Sequence, residues 1–130
     1  MKELWLFALL IIFPTSAAAG IASAKTADDL MEDCRYVDAD WNTITSAQMV
    51  AVSGCMQYII GVLDGYSFGV RPSGKERTMV CNVPDTVTTK QLALIVAHYL
   101  RDNPADLHLP ASFVVMKAVD KAFPCNTESH

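Results

Sequence analysis

The chain has 130 residues, of which 52% are hydrophobic and 18% charged, and its formal net charge is −4. This length suggests one domain, and the composition excludes an intrinsically disordered chain. The mild acidity provides no basic surface for nucleic acid, so nucleic acid is not predicted as a partner.

The first 24 residues have the features of a cleaved secretory signal. The apolar run LWLFALLIIF, from Leu4 to Phe13, is shorter than the roughly 20 residues needed to span a bilayer. Small residues follow Pro14, and Ala22-Ser23-Ala24 fits the rule for signal-peptide cleavage. We therefore predict cleavage after Ala24, a single mature domain over residues 25–130, and no membrane association once the signal is removed. An uncleaved membrane anchor is the alternative.

The mature chain begins with a predicted short helix. Thr26 can cap this helix, and Asp28 and Asp29 place negative charge in the first turn, where the helix dipole favours it. The helix is predicted from Ala27 to about Tyr36. Trp41, in the connector that follows, is expected to pack against the core because a large aromatic side chain rarely stays fully solvated.

Two later helices begin at T-x-x-Q capping boxes, which start at Thr45 and Thr88. The helix after Thr88 has the clearest amphipathic spacing and is predicted to stop near Asn103. A last helix tolerates Pro110 in its first turn. The only short strand candidate is the segment VCNV. The predicted fold is therefore all-α, a small four- to five-helix disulfide-linked bundle.

The helix that follows Thr45 has two different faces. At 100° per residue, its larger apolar side chains gather on one side, whereas Gly54, Tyr58, Gly61 and Gly65 gather on the other. Each interior glycine costs about 1 kcal/mol relative to alanine. We therefore predict that another helix packs closely on the glycine face, either inside the domain or from a second copy of the chain. Local flexibility near a helix end is the alternative.

Four cysteines lie in the mature part, and no two of them form a CxxC motif. An even number of widely spaced cysteines in an exported chain predicts two structural disulfides, for which three pairings exist. We predict that Cys55 pairs with Cys81 and that Cys34 pairs with Cys125. Free buried thiols are the alternative.

The segment Ser67–Met79, predicted as a loop, is the most basic part of this acidic chain. Its side chains Phe68, Arg71, Lys75 and Arg77 are candidates for contact with a partner, because loops on rigid scaffolds commonly carry binding residues. A solvated connector is the alternative.

No catalytic motif is present in the sequence. His98 and Asp102 have the i, i+4 spacing of a helical metal site, but His98 flanks an apolar stripe and is predicted to be an ordinary surface histidine. There is no G-x-S-x-G elbow, HExxH motif or phosphate-binding loop. We predict no enzymatic activity, no metal and no cofactor.

Three stretches, taken in order, resemble the Rap/Tai family of type VI secretion immunity proteins. They are C-x-x-Y-I-x-G at Cys55–Gly61, C-x-x-P before T-x-x-Q-L at Cys81–Leu92, and A-F-P-C at Ala122–Cys125. The resemblance covers about Cys34 to Cys125. It implies a periplasmic, disulfide-containing homodimer that neutralises a toxic effector, often a peptidoglycan amidase, by covering the effector's active site.

The resemblance suggests a role for each candidate surface. The basic segment with Phe68, Arg71, Lys75 and Arg77 would face the effector, and the glycine face would form the dimer contact. Three other functions fit a small exported helical protein. These are a periplasmic stress chaperone of the HdeA type, a carrier of a small apolar ligand, and an enzyme that uses His98 or His108.

Overall fold

The computed structural model describes residues 24–70 and 83–124. These residues form four α-helices: α1 (Ala27–Asp33), α2 (Ser46–Val70), α3 (Thr89–Asp102) and α4 (Ala111–Ala122). Two 3-10 turns, Cys34–Tyr36 and Pro104–Asp106, follow α1 and α3. The described residues contain no strand beyond an isolated bridge between Thr26 and Pro110. The prediction of a small all-α bundle is therefore confirmed. Most of the predicted signal peptide lies outside the described residues.

The predicted helix starts are confirmed by their caps. The Thr26 hydroxyl accepts a hydrogen bond from the backbone N–H of Asp29, and the Asp29 carboxylate accepts one in return. Thr88 and Gln91 form the same reciprocal pair at the start of α3. At α2, the N–H of Gln48 donates to the Thr45 hydroxyl over 3.2 Å, and the N–H of Thr45 donates to the side-chain amide oxygen of Gln48 over 2.8 Å. Each box satisfies N–H groups that the first helical turn leaves without partners.

The core lies where all four helices meet, because every helix contacts the other three. Leu92, Val96 and Leu100 of α3 are buried, as the amphipathic spacing predicts. Trp41 is half-buried against this core, and its indole N–H donates to the carbonyl of Val37 over 3.3 Å. The largest fully buried side chains come from every helix and from the first 3-10 turn and the residue after it: Leu30, Cys34, Val37, Val52, Cys55, Ile59, Val96, Leu100, Val114, Val115 and Val119.

The start of the described chain is fixed to the segment before α4. The N–H groups of Ala27 and Asp28 donate to the carbonyls of Leu109 and Leu107, over 2.9 and 3.0 Å. The N–H of Ala111 donates in turn to the carbonyl of Lys25 over 2.9 Å. Backbone hydrogen bonds therefore join the start of the described chain to the segment before α4, in addition to the side-chain packing.

The disulfide pairing differs from the prediction. Cys34 bonds to Cys55, with an S–S distance of 2.01 Å. The predicted Cys55–Cys81 and Cys34–Cys125 bonds are therefore wrong, because each would use a sulfur that is already bonded. The physical reason is that the 3-10 turn after α1 packs on the buried side of α2, where Cys55 lies. Cys81 and Cys125 lie outside the described residues.

The helix α2 is longer than predicted. Its described part extends to Val70, so Ser67 and Phe68 are helical and the predicted loop does not begin at Ser67. The first proline after Thr45 is Pro72. A proline disfavours the helical conformation in the residue before it, so no proline ends α2 before Val70. Phe68 therefore lies on the last described turn of α2.

Candidate protein-binding surface

No described residue packs directly on the glycines of the α2 glycine face. A Cβ atom built on Gly54, Gly61 or Gly65 meets no atom within 4 Å. Within the described residues, the predicted packing of another helix of the same domain on these glycines is therefore wrong. The reason is that α1, α3 and α4 all pack on the opposite side, where Val52 and Ile59 are fully buried. Packing against a second copy of the chain stays a prediction.

Tyr58 lies at the edge of the glycine face and is half-buried. The Lys25 ammonium lies 5.7 Å from the centroid of its ring and also forms an ion pair with Asp33 at 2.6 Å. A cation over an aromatic face is attracted by the ring quadrupole. The contact with Tyr58 ties Lys25, near the start of the described residues, to the middle of α2.

A continuous exposed stripe runs along the outer side of α2. Six exposed residues fall within roughly 80° of one another at 100° per residue. We call them the α2 stripe: Val50, Gly54, Gln57, Gly61, Gly65 and Phe68. Its two large hydrophobic side chains stand at opposite ends, where Val50 is 71% exposed and Phe68 is 81% exposed. Sequence analysis did not identify Val50, although its position four residues before Gly54 puts it on the same face.

An apolar groove adjoins the stripe between the second half of α2 and the first half of α4. Its volume is about 420 Å³. The lining residues are Gly61, Val62, Gly65, Tyr66, Ser112, Phe113 and Met116. Phe113 is 47% exposed, and the Lys117 ammonium lies 5.8 Å from its ring centroid. The exposed apolar surface thus continues from α2 onto α4.

The surface of α2 is nearly free of charge, because Asp64 is the one charged side chain between Ser46 and Val70. By length and composition, the part of α2 from Ser46 to Phe68 could also cross a membrane. Only 17% of its most apolar 18-residue stretch is buried within the protein. A large exposed apolar surface on a folded chain usually marks a contact with a protein or a membrane. The outer side of α2 is therefore the strongest candidate binding surface among the described residues.

The predicted effector-facing residues are described only in part. Phe68 is highly exposed and belongs to the α2 stripe. Arg71, Lys75 and Arg77 lie outside the described residues, so their placement relative to Phe68 stays a prediction.

A polar network of Tyr99, Asp106 and Lys117 links α3, the second 3-10 turn and α4. The Tyr99 hydroxyl and the Lys117 ammonium each donate to the same Asp106 oxygen, both over 2.7 Å. The hydrogen bond from Lys117, followed by that from Tyr99, holds the pKa of Asp106 below its usual value. The same bond to Asp106 raises the pKa of Lys117. Burial, followed by the hydrogen bond to Asp106, raises the pKa of Tyr99. Sequence analysis missed this network because its members come from three separate elements.

The candidate enzymatic residues lie on the surface. His98 is exposed and borders a cavity of about 240 Å³, together with Asp102 and Lys121. Within residues 24–70 and 83–124, no group of three or more His, Cys, Asp and Glu side chains is placed to hold a metal ion. His108 is also exposed, whereas His130 lies outside the described residues.

A family model for Rap1a immunity proteins matches residues 26–125, which is 100 of the 130 residues. The chain belongs to the Rap1a immunity protein family. Its resemblance to immunity proteins is thereby confirmed. No curated protein and no solved structure matches the chain. Membership in an immunity family indicates that the chain is an inhibitor rather than an enzyme, and that it binds a partner effector.

Proposed function

We propose that this chain is a periplasmic immunity protein that binds and neutralises a type VI secretion effector. In this proposal the effector is a peptidoglycan amidase, and the immunity protein inhibits it by covering its active site. The observation that carries the proposal is the family match over residues 26–125. The secretory features of residues 1–24 support export, and the Cys34–Cys55 bond is typical of proteins outside the reducing cytosol.

Inhibition by covering requires a rigid surface and no reactive group. Stable protein interfaces bury about 1,200–2,000 Å² in total, and a few central aromatic or arginine side chains supply most of the affinity. The capped helices and the disulfide hold the bundle rigid, which lowers the entropy cost of binding. Arg71, Lys75 and Arg77 remain the proposed effector-facing residues, and the active form is proposed to be a homodimer.

The test uses the proposed effector, a peptidoglycan amidase delivered by type VI secretion, purified separately. We expect equimolar immunity protein to abolish the release of soluble peptides from peptidoglycan sacculi and to form a stable complex on gel filtration. Undiminished hydrolysis and no complex at micromolar concentration would refute the proposal. The triple variant Arg71→Ala/Lys75→Ala/Arg77→Ala tests the binding face, with Lys90→Ala/Lys121→Ala as a control that also removes positive charge.

The exposed α2 stripe also suits a stress chaperone of the HdeA type, which would bind unfolding proteins through apolar surface. That function predicts suppression of the aggregation of an unrelated protein at low pH. An aggregation assay at pH 3 and at pH 7 separates the two candidates, because an immunity protein acts on one effector and at neutral pH.

A further inference from the structure

Another cavity lies between α3 and the segment formed by α1 and the first 3-10 turn. Its volume is about 250 Å³, and its surface is mostly apolar. We call it the α1–α3 cavity, and its lining residues are Met31, Glu32, Cys34, Arg35, Ala97 and Arg101. No residue of the α2 stripe lines it, so the cavity is separate from the candidate protein-binding surface.

The apolar part of the cavity is built from residues with fixed positions. Cys34 is 1% exposed and is bonded to Cys55 of α2, and Ala97 is 3% exposed. Met31 is half-buried against the core. Ala97 contributes only a methyl group, which leaves space between α3 and the first 3-10 turn. An apolar cavity of about 150 Å³ is enough to bind benzene, so the α1–α3 cavity can hold one ring or a short alkyl chain.

The charged groups of the cavity are exposed and mostly positive. Arg35 and Arg101 bring two guanidinium groups to the lining, and Glu32 brings one carboxylate. This positive excess stands out in a chain whose formal net charge is −4. A ligand that complements the cavity therefore carries a negative charge on an apolar body.

Two hydrogen bonds hold the guanidinium of Arg101 in place. Its Nε donates to the carbonyl of Ala97 over 3.2 Å, and its Nη1 donates to the Asp38 carboxylate over 2.9 Å. These bonds use two of the five N–H groups of the guanidinium, and the others can serve a ligand. Asp38 does not line the cavity, but it offsets part of the charge of Arg101. The site therefore favours a single negative charge over a double one.

Arg35 can also turn towards a ligand. It pairs with Glu32, three positions before it, and both side chains are largely exposed. Exposed ion pairs of this kind contribute little to stability. Exchange of the Glu32 carboxylate for that of a ligand therefore costs little.

We infer that the α1–α3 cavity binds a small organic acid with one carboxylate on an apolar body. The apolar body lies against Met31 and Ala97, and the carboxylate accepts hydrogen bonds from Arg101. Arginine and carboxylate form charge-assisted and often bidentate pairs, and ligand sites commonly combine an apolar lining with a few such polar groups. The inference goes beyond the proposed function and does not depend on it, because covering an effector requires no small ligand.

The first experiment compares an acid with its neutral analogue. 3-Phenylpropionate and 3-phenylpropionamide are titrated into the protein purified from the periplasm, and binding is followed by calorimetry and by backbone amide NMR shifts. We expect a dissociation constant below about 1 mM for the acid, with the largest shifts around Cys34 and Ala97. The amide should bind at least tenfold more weakly because it loses the charge-assisted hydrogen bonds. No binding of the acid at millimolar concentration, equal binding of acid and amide, or shifts confined to another part of the bundle would overturn the inference.

Arg101→Gln tests the charged contact. It should weaken binding of the acid at least tenfold and leave binding of the amide unchanged. Lys121→Gln removes the same charge from an exposed position outside the cavity and should bind like the wild type. Asp38→Asn breaks the ion pair of Arg101 but keeps the guanidinium, so it should bind the acid at least as well as the wild type. If Asp38→Asn weakens binding as much as Arg101→Gln, the arginine has only a structural role and the inference fails.

Two further variants fill the cavity. Ala97→Leu adds bulk on α3, and Met31→Trp adds it on α1, where the half-buried position tolerates a larger side chain. Circular dichroism and thermal unfolding show which variants fold. Each folded variant should lose binding of the acid, and undiminished binding in either one would show that the ligand lies elsewhere.

A last comparison identifies the source of the carboxylate. A tripeptide that ends in phenylalanine presents the same ring and a terminal carboxylate on a peptide, and its C-terminal amide is the control. Binding of the free acid alone supports a small organic acid as the ligand. Tighter binding of the tripeptide than of the free acid, lost on amidation, would overturn that assignment in favour of a peptide C-terminus.

Discussion

Cys34 and Cys55 join the short helix α1 to the long helix α2 inside the core. Both side chains are almost fully buried, and 21 positions separate them in the sequence. A helix of seven residues such as α1 is not stable on its own, because helix nucleation is costly. The covalent link compensates by limiting the freedom of the unfolded chain.

Replacement of both cysteines tests this role. We expect Cys34→Ala/Cys55→Ala to lower the free energy of unfolding by about 3 kcal/mol, as loop-closure entropy predicts for a loop of this length. Urea unfolding followed by circular dichroism measures the change. Reduced wild-type protein is the comparison and should lose at least as much, because reduction would also break a bond between Cys81 and Cys125. A loss below about 1 kcal/mol would show that packing alone fixes α1.

The disulfide pairing was not predictable from these residues. Cys55 lies at the border between the apolar and glycine faces of α2, so its helical position leaves the partner open. The pairing depends on the direction in which the 3-10 turn at Cys34–Tyr36 returns to α2. That direction is set by tertiary packing, which neither cysteine spacing nor helical periodicity encodes.

At the scale of single elements, local signals predicted the helix starts correctly. A T-x-x-Q box closes hydrogen bonds between residues three positions apart, so the sequence contains all of its participants. The end of α2 was less predictable, because the loop predicted from Ser67 is still helical through Gly69 and Val70. Within a helix, one glycine costs only about 1 kcal/mol, and neighbouring residues can compensate for it.

The cap of α3 gives a prediction on stability. Thr88→Ala should lower the free energy of unfolding by about 1 kcal/mol, because the N–H of Gln91 loses its acceptor. Thr88→Ser keeps a hydroxyl and should preserve most of the stability. Thr89→Ala, one position inside the helix, is the control for altered side-chain size. Thermal unfolding measures all three variants, and equal melting temperatures for Thr88→Ala and the wild type would contradict the role of the cap.

The network of Tyr99, Asp106 and Lys117 predicts a pH dependence of stability. Because the folded state lowers the pKa of Asp106, its stabilisation is present above the unfolded value of 3.8 and is lost as the pH falls through the lower folded pKa. The pKa of Lys117 is raised, so its stabilisation is present below 10.5 and is lost as the pH rises through the higher folded pKa.

Asp106→Asn measures this contribution. The variant should be less stable than the wild type at pH 7. The difference should shrink as the pH falls below 3.8, where the unfolded carboxylate takes up a proton, and on through the lower folded pKa. Urea unfolding at a series of pH values gives the two curves. Asp120→Asn, which changes an exposed carboxylate in α4, is the control. A stability difference that stays constant down to pH 2 would show that the Asp106 charge does not contribute.

At the scale of the whole molecule, the helices formed by residues 24–70 and 83–124 are too few to cover α2 on all sides. Periodicity correctly predicted an apolar face and a glycine face, and it predicted cover for both. The three shorter helices all pack on the apolar face, where large side chains bury the most surface. Which face of α2 the other helices cover depends on how many helices are available to pack against it. Helical periodicity does not give that number. The exposure of Val50 and Phe68 follows from it.

The paired Cys34 and Cys55 also constrain the oxidation of the complete chain. The sequence has four cysteines, so Cys81 and Cys125 are the two left to pair within one chain. In an oxidising compartment we predict that they form the second disulfide, which closes a larger loop and constrains the unfolded state further. The intact mass should then be lower than that of the reduced protein by the mass of four hydrogen atoms.

Peptide mapping without reductant distinguishes the alternatives. It should give one linked pair that contains Cys34 and Cys55, and a second that contains Cys81 and Cys125. Protein kept in the cytosol of the same host is the control, and it should retain free thiols because the cytosol is reducing. Links between two copies through Cys81 or Cys125 would contradict an intrachain bond. A Cys55–Cys81 link would contradict the packing of the first 3-10 turn on α2, because Cys34 would then have lost its partner.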